Sequence, residues 1–192
     1  TIVIVLLALF VTTIYFPKLE KYVQIICMIP YTIQGVILSV SILSLYVGTK
    51  SILSNRLVML VGAYCVVILP YIYQGIRNGM RAVNMTTLIE AAEMLGASKI
   101  YAFFRVVVPN ILSAIIVSSL LAVGIIFGDY VLIRNLAGTS APNMQIFLYQ
   151  TMKSDSTKAS AVFVIIMFVT FVITAIVLFL KSREGKGRAQ RK

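Results

Sequence analysis

Histidine is absent from this sequence, and its absence excludes several kinds of catalytic chemistry. Ser-His-Asp and Cys-His catalysis, His-based metal sites and the HExxH zinc motif all require an imidazole. The Gly-x-x-x-x-Gly-Lys-Ser/Thr loop that cradles nucleotide phosphates in P-loop proteins is absent as well. We therefore expect the chain to be non-catalytic and to hold no metal or cofactor of its own.

Cysteine is scarce: Cys27 and Cys65 are the two in the chain, and both lie inside apolar runs. Such a pair gives neither a disulfide framework nor a metal-binding spacing. Both are expected to behave as small buried hydrophobic residues.

Charge is the third deficit. Only 12% of the residues are charged, 60% are hydrophobic and the mean hydropathy is +0.99. A soluble domain carries about 25% charged residues, and a chain of this length leaves too much of its surface in water to hide so much apolar material. The solvent that the composition predicts is a lipid bilayer.

The net charge of +11 does not indicate a nucleic-acid partner. Nucleic-acid-binding proteins gather Lys and Arg on a polar face beside stacking aromatic residues. Here the basic residues lie between long uncharged stretches, so we interpret them as signals of membrane topology.

Five uncharged stretches predict membrane-spanning helices at about 1–16, 23–46, 57–76, 107–128 and 159–180. A helix needs about 20 apolar residues to cross the hydrocarbon layer. Segment 57–69 is apolar on all sides, which favours helices over the alternating strands of a barrel. The predicted fold class is all-α, a single transmembrane helical bundle over residues 1–192. The first stretch is short and opens without a charged segment, so we expect residues to be missing upstream.

The connections between these spans predict their orientation. Twelve Lys and Arg residues lie in the link 17–22, the loop 77–106 and the tail 181–192, against five in the other connections. Basic loops stay in the cytoplasm. The loop 77–106, the basic tail and the C-terminus are therefore predicted to be cytoplasmic. Two Gly-x-x-x-Gly spacings, Gly75 to Gly79 and Gly124 to Gly128, are of a kind that permits close helix contact.

The cytoplasmic loop carries a helical pattern of its own. Thr87 and Glu90 match a capping box, which predicts a helix over 88–95. Gly96 is placed to end that helix in a left-handed conformation, and Ser98 to begin a second helix toward Pro109. The predicted apolar stripe has the spacing i, i+3, i+4, i+7 and comprises Leu88, Ala91, Ala92 and Leu95.

A helix this short is not stable alone in water, so its stripe needs a surface to pack against. Small residues allow close backbone approach, which suits a cleft in another protein. The alternative is a loop helix that packs on its own subunit or lies among lipid headgroups. The pattern leaves both interpretations open.

The same segment resembles the EAA loop of type I ABC importer permeases. That pattern is Glu-Ala-Ala, three residues, Gly, nine residues, then Ile-x-Leu-Pro. Here Glu90-Ala91-Ala92 is followed at the same distances by Gly96 and by Val106-Val107-Val108-Pro109, with Val in place of Ile and Leu.

The resemblance extends beyond this loop. Phe127-Gly128-Asp129-Tyr130 and Leu136-Ala137-Gly138 are similar to the outer loop of the subgroup that imports spermidine and putrescine. Other members of that subgroup import aminoethylphosphonate or other small solutes. The resemblance therefore implies a small solute, with polyamines favoured.

The resemblance also implies the partners of the chain. They are a cytoplasmic ATPase dimer that binds ATP and Mg²⁺, a second permease subunit (homologous or identical) and an extracytoplasmic binding protein, all at a bacterial inner membrane. No cofactor is expected in this chain. The residues implied in coupling to the ATPase are Glu90, Ala91, Ala92, Leu95, Gly96, Ala97 and Pro109. Glu90 is implied to meet basic groups on or near the ATPase, and its alternative partners within the chain are Arg81 and Arg105.

On the opposite side, the outer loop 129–158 is where the binding protein is expected to dock, with Asp129 and Arg134 as candidate contacts. Asp129 is suited to attract a cationic solute at the mouth of the pathway. The alternative is a helix-end residue paired with Arg134.

Three other functions compete with the importer hypothesis. A secondary transporter or channel usually places ionisable residues inside its spans, and these stretches have none. An intramembrane enzyme needs a histidine or a pair of acidic residues at membrane depth, and these stretches contain neither. The third function is a membrane scaffold whose loop helix binds another protein. Co-purification distinguishes it from an importer, since only an importer must retain an ATPase.

Overall fold

The computed structural model describes residues 1–33, 35–46, 48, 55–138 and 143–189, with side chains up to residue 175. Over these ranges the chain is helical and contains no strand, which confirms the all-α class. The predicted basic tail 181–192 lies outside the described side chains.

Ten α-helices follow one another along the described chain. They are α1 (Ile2–Ile14), α2 (Glu20–Thr32), α3 (Gly35–Tyr46), α4 (Arg56–Ala82), α5 (Met85–Met94), α6 (Lys99–Ala102), α7 (Val108–Asn110), α8 (Leu112–Gly128), α9 (Met144–Ser154) and α10 (Ser156–Ala189). A 3₁₀ turn at Pro17–Leu19 precedes α2, and π-helical turns occupy Phe103–Val107 and Ile133–Ala137.

Two helices are long and apolar enough to cross a membrane as they stand, α4 and the 156–175 part of α10. They coincide with the predicted spans 57–76 and 159–180. The predicted spans 23–46 and 107–128 fall on bent pairs, broken between Thr32 and Gly35 and, at an angle of 64°, between α7 and α8. Helix α1 is apolar but shorter than a span. The structure thus supports two to four spans, and the count of five stays a prediction.

The chain divides into two compact units. The first comprises Thr1–Thr32 and Ile68–Ala122, and the second comprises Ile33–Val67 and Val123–Lys192. In the first unit, residues from α1, α4, α5 and the 99–111 segment share one apolar core. Its fully buried members include Leu9, Ile76, Phe103, Val107 and Ile111.

Helices α4 and α8 approach closely within the first unit because α4 has glycine at the contact. A Cβ atom added at Gly75 would lie 2.6 Å from the Cβ of Ser118, and one added at Gly79 would collide with the Ala114 Cβ. The Gly75–Gly79 spacing therefore serves close helix packing. At Gly124 and Gly128 an added Cβ would have no neighbour within 4 Å among the described residues.

The second unit has a separate core that includes Met59, Leu60, Leu132 and Leu136. Ser39 of α3 is fully buried there, and its hydroxyl accepts a hydrogen bond of 2.8 Å from the Asn135 side-chain amide. This bond joins α3 to the π-helical turn Ile133–Ala137.

Cys65 was predicted to be buried, and this prediction is wrong. Its side chain is exposed, because it lies on a face of α4 that no described element covers.

We expect Gly79→Leu to destabilise the protein by about 1–3 kcal/mol, because the Ala114 methyl group is attached to backbone and cannot move aside. The thermal midpoint of the purified protein in detergent measures this. Gly62→Leu is the matched control on the same helix, since an added Cβ there has no described neighbour within 4 Å. Equal midpoints for the two variants would contradict the close α4–α8 contact.

Candidate functional site: a helical hairpin

The hairpin that contains the EAA-like segment, residues 85–110, begins at a sharp turn. Asn84 has φ +49° and reverses the chain between α4 and α5, a conformation that asparagine tolerates better than most residues. Helix α5 then starts at Met85, so Thr87 lies inside its first turn. The predicted capping box of Thr87 and Glu90 is therefore wrong, since the reversal at Asn84 sets the helix start earlier.

One face of α5 packs on the core of its own unit. Met85 and Ile89 are each 3% exposed and belong to that core. The half-buried Leu88 and Ala92 pack against it from the same face. The predicted stripe was partly wrong, because Ala91 and Leu95 are exposed. The larger side chains of Met85 and Ile89 take the inward positions instead.

The other face of α5 is open. Leu95 is 89% exposed and Met94 is 88% exposed, two large apolar side chains at the end of the helix. Glu90 and Ala91 are exposed beside them. Within the described ranges Glu90 has no ion pair, and Arg81, one of its two suggested partners, binds Glu20 instead. The structure thus shows one face of the loop helix packed on its own unit and leaves the opposite face uncovered by the described residues. Packing of that face in a cleft of another protein stays a prediction.

A left-handed glycine ends α5, as predicted. Gly96 has φ +85°, its N–H donates to the Glu93 carbonyl at 2.8 Å, and the Ala97 N–H donates to the Ala92 carbonyl at 3.0 Å. These two bonds form the Schellman motif that satisfies the last carbonyls of a helix. The space around Gly96 is open, so backbone conformation rather than crowding requires glycine here.

The second limb of the hairpin starts at Ser98, whose hydroxyl oxygen accepts a 3.4 Å hydrogen bond from the Tyr101 N–H. This confirms the predicted start of a second helix. Lys99 and Glu93 form a 3.8 Å ion pair across the turn. The limb is less regular than predicted, because the π-helical turn Phe103–Val107 interrupts it.

Pro109 lies exposed in α7, immediately before the 64° bend into α8. Proline has no N–H, so the carbonyl four residues earlier loses its usual helical donor. One residue earlier, the Val108 N–H donates to the carbonyl of Phe103, five residues back, which is the wider π-helical pairing. Pro109 is thus positioned to end the hairpin and redirect the chain.

An ion cluster that the sequence analysis missed lies beside the base of the hairpin. The Glu20 Oε1 atom accepts hydrogen bonds from Arg77 Nε at 3.0 Å, from Arg77 Nη2 at 2.7 Å and from Arg81 Nη2 at 3.2 Å. The four-residue spacing of the two arginines shows that they share a face of α4. That spacing gives no indication of their acidic partner.

The second candidate segment is the outer loop 129–158. At its start, Asp129 is half-buried. Its Oδ2 atom accepts from the Tyr64 hydroxyl at 2.9 Å and from the Leu132 N–H at 3.1 Å. Arg134 is exposed, and the described structure has no ion pair between it and Asp129. The suggested pairing with Arg134 is therefore wrong, because the side chain of Asp129 turns to cap the following helical segment.

Asp155 makes a similar cap at the start of α10 but has a neutralising partner. Its Oδ1 accepts from the Thr157 and Lys158 N–H groups, and its Oδ2 lies 3.3 Å from Lys158 Nζ. The backbone N–H and the ammonium of Lys158 lower the pKa of Asp155. Asp129 and Asp155 thus differ in local charge although both cap helices.

These features define an all-helical membrane protein with apolar helices and an exposed helical hairpin. The model of the family described as binding-protein-dependent transport system inner membrane component matches residues 2–184, and the chain belongs to this family. It is therefore an inner-membrane permease component of an ABC transporter, a transport subunit of a family that works with an ATPase and a binding protein. Comparison with curated proteins found no match.

We expect Gly96→Val to weaken the closure of the hairpin by about 1–2 kcal/mol, because a β-branched residue resists positive φ. Hydrogen exchange at the Gly96 and Ala97 amides measures this, since both donate to the end of α5. Gly96→Asn is the control that tolerates this conformation. Slow exchange in the Val variant would show that the left-handed turn is not required.

Proposed function

We propose that the loop hairpin is the element that couples this permease to a separate cytoplasmic ATPase. The observation that carries the proposal is the exposed apolar pair Met94 and Leu95 at the end of a helix whose opposite face is buried. Large apolar side chains exposed together mark a contact with a protein or with a membrane, and the small residues of the 90–97 segment favour close approach by a protein. Glu90 and Ala91 extend the same open face.

The packing of α5 suits it to transmit force. A ten-residue helix does not persist alone in water, but here Met85 and Ile89 fix it to the core of its unit. A partner that moves Met94 and Leu95 therefore moves the whole helix rather than unfolding it. Gly96, Ala97 and Ser98 carry that motion into α6, and Pro109 directs it into α8.

The proposed orientation places the hairpin and the C-terminus in the cytoplasm. The twelve-to-five distribution of basic residues supports this side for loop 77–106. The ATPase dimer would then bind ATP and Mg²⁺, because this chain has no P-loop sequence. A second permease subunit, homologous or identical, would complete the pathway.

The opposite side is proposed to receive a binding protein on loop 129–158. We favour a polyamine such as spermidine or putrescine as the solute, on the resemblance of the 127–130 and 136–138 segments to that subgroup. Asp129 supports a cationic solute, since its half-buried carboxylate has hydrogen bonds but no neutralising Lys or Arg in the described structure. Arg134 follows Asp129 closely in the sequence and is exposed, and we propose it as a contact for the binding protein.

Replacing Met94 and Leu95 together with serine is expected to reduce ATPase affinity by at least about 2 kcal/mol, roughly thirtyfold, because two large apolar side chains lose their burial on binding. Co-purification of the P-loop ATPase with the tagged permease, followed by titration of the ATPase, measures this. The yield of folded protein should stay unchanged, since both side chains are exposed.

Met152→Ser is the matched control, because Met152 is 61% exposed but lies in α9, on the side proposed for the binding protein. It should leave ATPase affinity unchanged. If the wild-type chain retains no ATPase, or the paired serine variant retains it as tightly as the wild type, the coupling role is refuted. Capture of a different protein without an ATPase would favour the scaffold alternative.

Asp129→Asn is expected to lower uptake of a cationic polyamine about three- to fivefold, the effect of losing an interaction worth up to about 1 kcal/mol. Asparagine keeps the acceptor for Tyr64 and Leu132. Uptake in proteoliposomes with a saturating binding protein measures the change. Asp155→Asn is the control, since Lys158 already neutralises that carboxylate. Equal uptake by both variants would argue against a cation-attracting mouth.

A further inference from the structure

The Glu20 cluster is built more tightly than a surface ion pair. The Arg77 and Glu20 side chains are 15% and 25% exposed, and a single carboxylate oxygen receives all three N–H bonds. A cavity of about 250 Å³, with Glu20, Arg77 and Arg81 in its wall, adjoins the cluster. Two arginines one turn apart repel each other, and the carboxylate between them offsets that repulsion.

The cluster joins the end of α4, which leads into the first limb of the hairpin, to α2. Arg77 and Arg81 lie in the last two turns of α4, directly before the reversal at Asn84. Asn84 also lines the cavity beside Glu20. The turn at Asn84 therefore passes a displacement of α5 to the end of α4, and the bonds to Glu20 connect that end to the start of α2.

The second limb is attached to the same region. The ring centres of Phe103 and Phe10 lie 4.4 Å apart, and Phe103 is fully buried. The Nζ atom of Lys99 lies 6.0 Å from the centre of the Tyr15 ring. Phe10 and Tyr15 precede Glu20 at the junction of α1 and α2. The end of α4 and the second limb of the hairpin thus both contact one segment, residues 10–20, which we name the α1–α2 corner.

We propose that Glu20 is a positioning residue for coupling: through Arg77 and Arg81 it makes the α1–α2 corner move with the loop hairpin, so that ATPase-driven displacement of α5 reaches α1 and α2. The inference rests on the proposed coupling function. The aromatic contacts hold the corner by packing, and the ion cluster adds a directional link whose strength depends on opposite charge. Charge substitutions therefore test the ionic link separately from the packing.

The test uses the full complex of permease, ATPase and binding protein in proteoliposomes, with solute transported per ATP hydrolysed as the readout. Glu20→Gln keeps the shape but leaves Arg77 and Arg81 without a countercharge. We expect transport per ATP to fall about tenfold, within the usual range for coupling between two sites. ATPase capture should be unchanged. The exchange Glu20→Arg with Arg77→Glu restores opposite charges, with the carboxylate now on α4, and should recover most of the ratio.

Lys21→Gln is the matched control, since it removes one charge from the exposed residue next to Glu20. It should transport normally. Wild-type transport per ATP in Glu20→Gln, or no recovery in the charge exchange, would overturn the positioning role. Loss of folded protein or of ATPase capture in Glu20→Gln would assign the cluster to stability instead. Failure of the wild-type chain to bind an ATPase would refute the proposed function itself, a separate result.

Discussion

The packing of Met85 and Ile89 into the core of the first unit is the contact on which the hairpin depends. Helix α5 is too short to be stable by itself, so this buried face keeps it folded and fixes its rotation. The rotation in turn decides that Met94 and Leu95 face outward. The result is an exposed apolar pair on a firmly held helix, which is the surface that we propose for a partner.

The two ends of α5 are set by backbone conformation. Asn84 and Gly96 both have positive φ, one before the helix and one after it. Asparagine and glycine are the residues that take this conformation at least cost. The helix is therefore bounded by two sharp turns, which limits the ways in which it can move independently of α4 and α6.

Irregular backbone recurs where the chain changes direction. The π-helical turn Phe103–Val107 precedes Pro109 and the bend into α8, and a second π-helical turn follows Asp129. In both places a side chain takes part in the local structure: Pro109 withholds a donor, and Asn135 donates to the buried Ser39. Such turns are common near functional sites, and here they adjoin the two candidate segments.

Much of the local structure follows from the sequence alone. The helical class, the left-handed end at Gly96, the helix start at Ser98 and the close packing at Gly75 and Gly79 all rest on residues near one another in the chain or on glycine itself. The spacing from Glu90 to Pro109 indicated the family. Local patterns suffice for these features because helix caps and glycine turns are formed within a few residues.

Only the tertiary structure decided which face of α5 is buried and which charges meet. Glu20 binds arginines 57 and 61 residues away, and Asp129 accepts from Tyr64, 65 residues away. Sequence spacing indicates which residues share a helix face, but the partner across a helix contact depends on how the helices pack. The sequence determined the elements and their ends, and the packing of the core determined what those elements present to each other and to a partner.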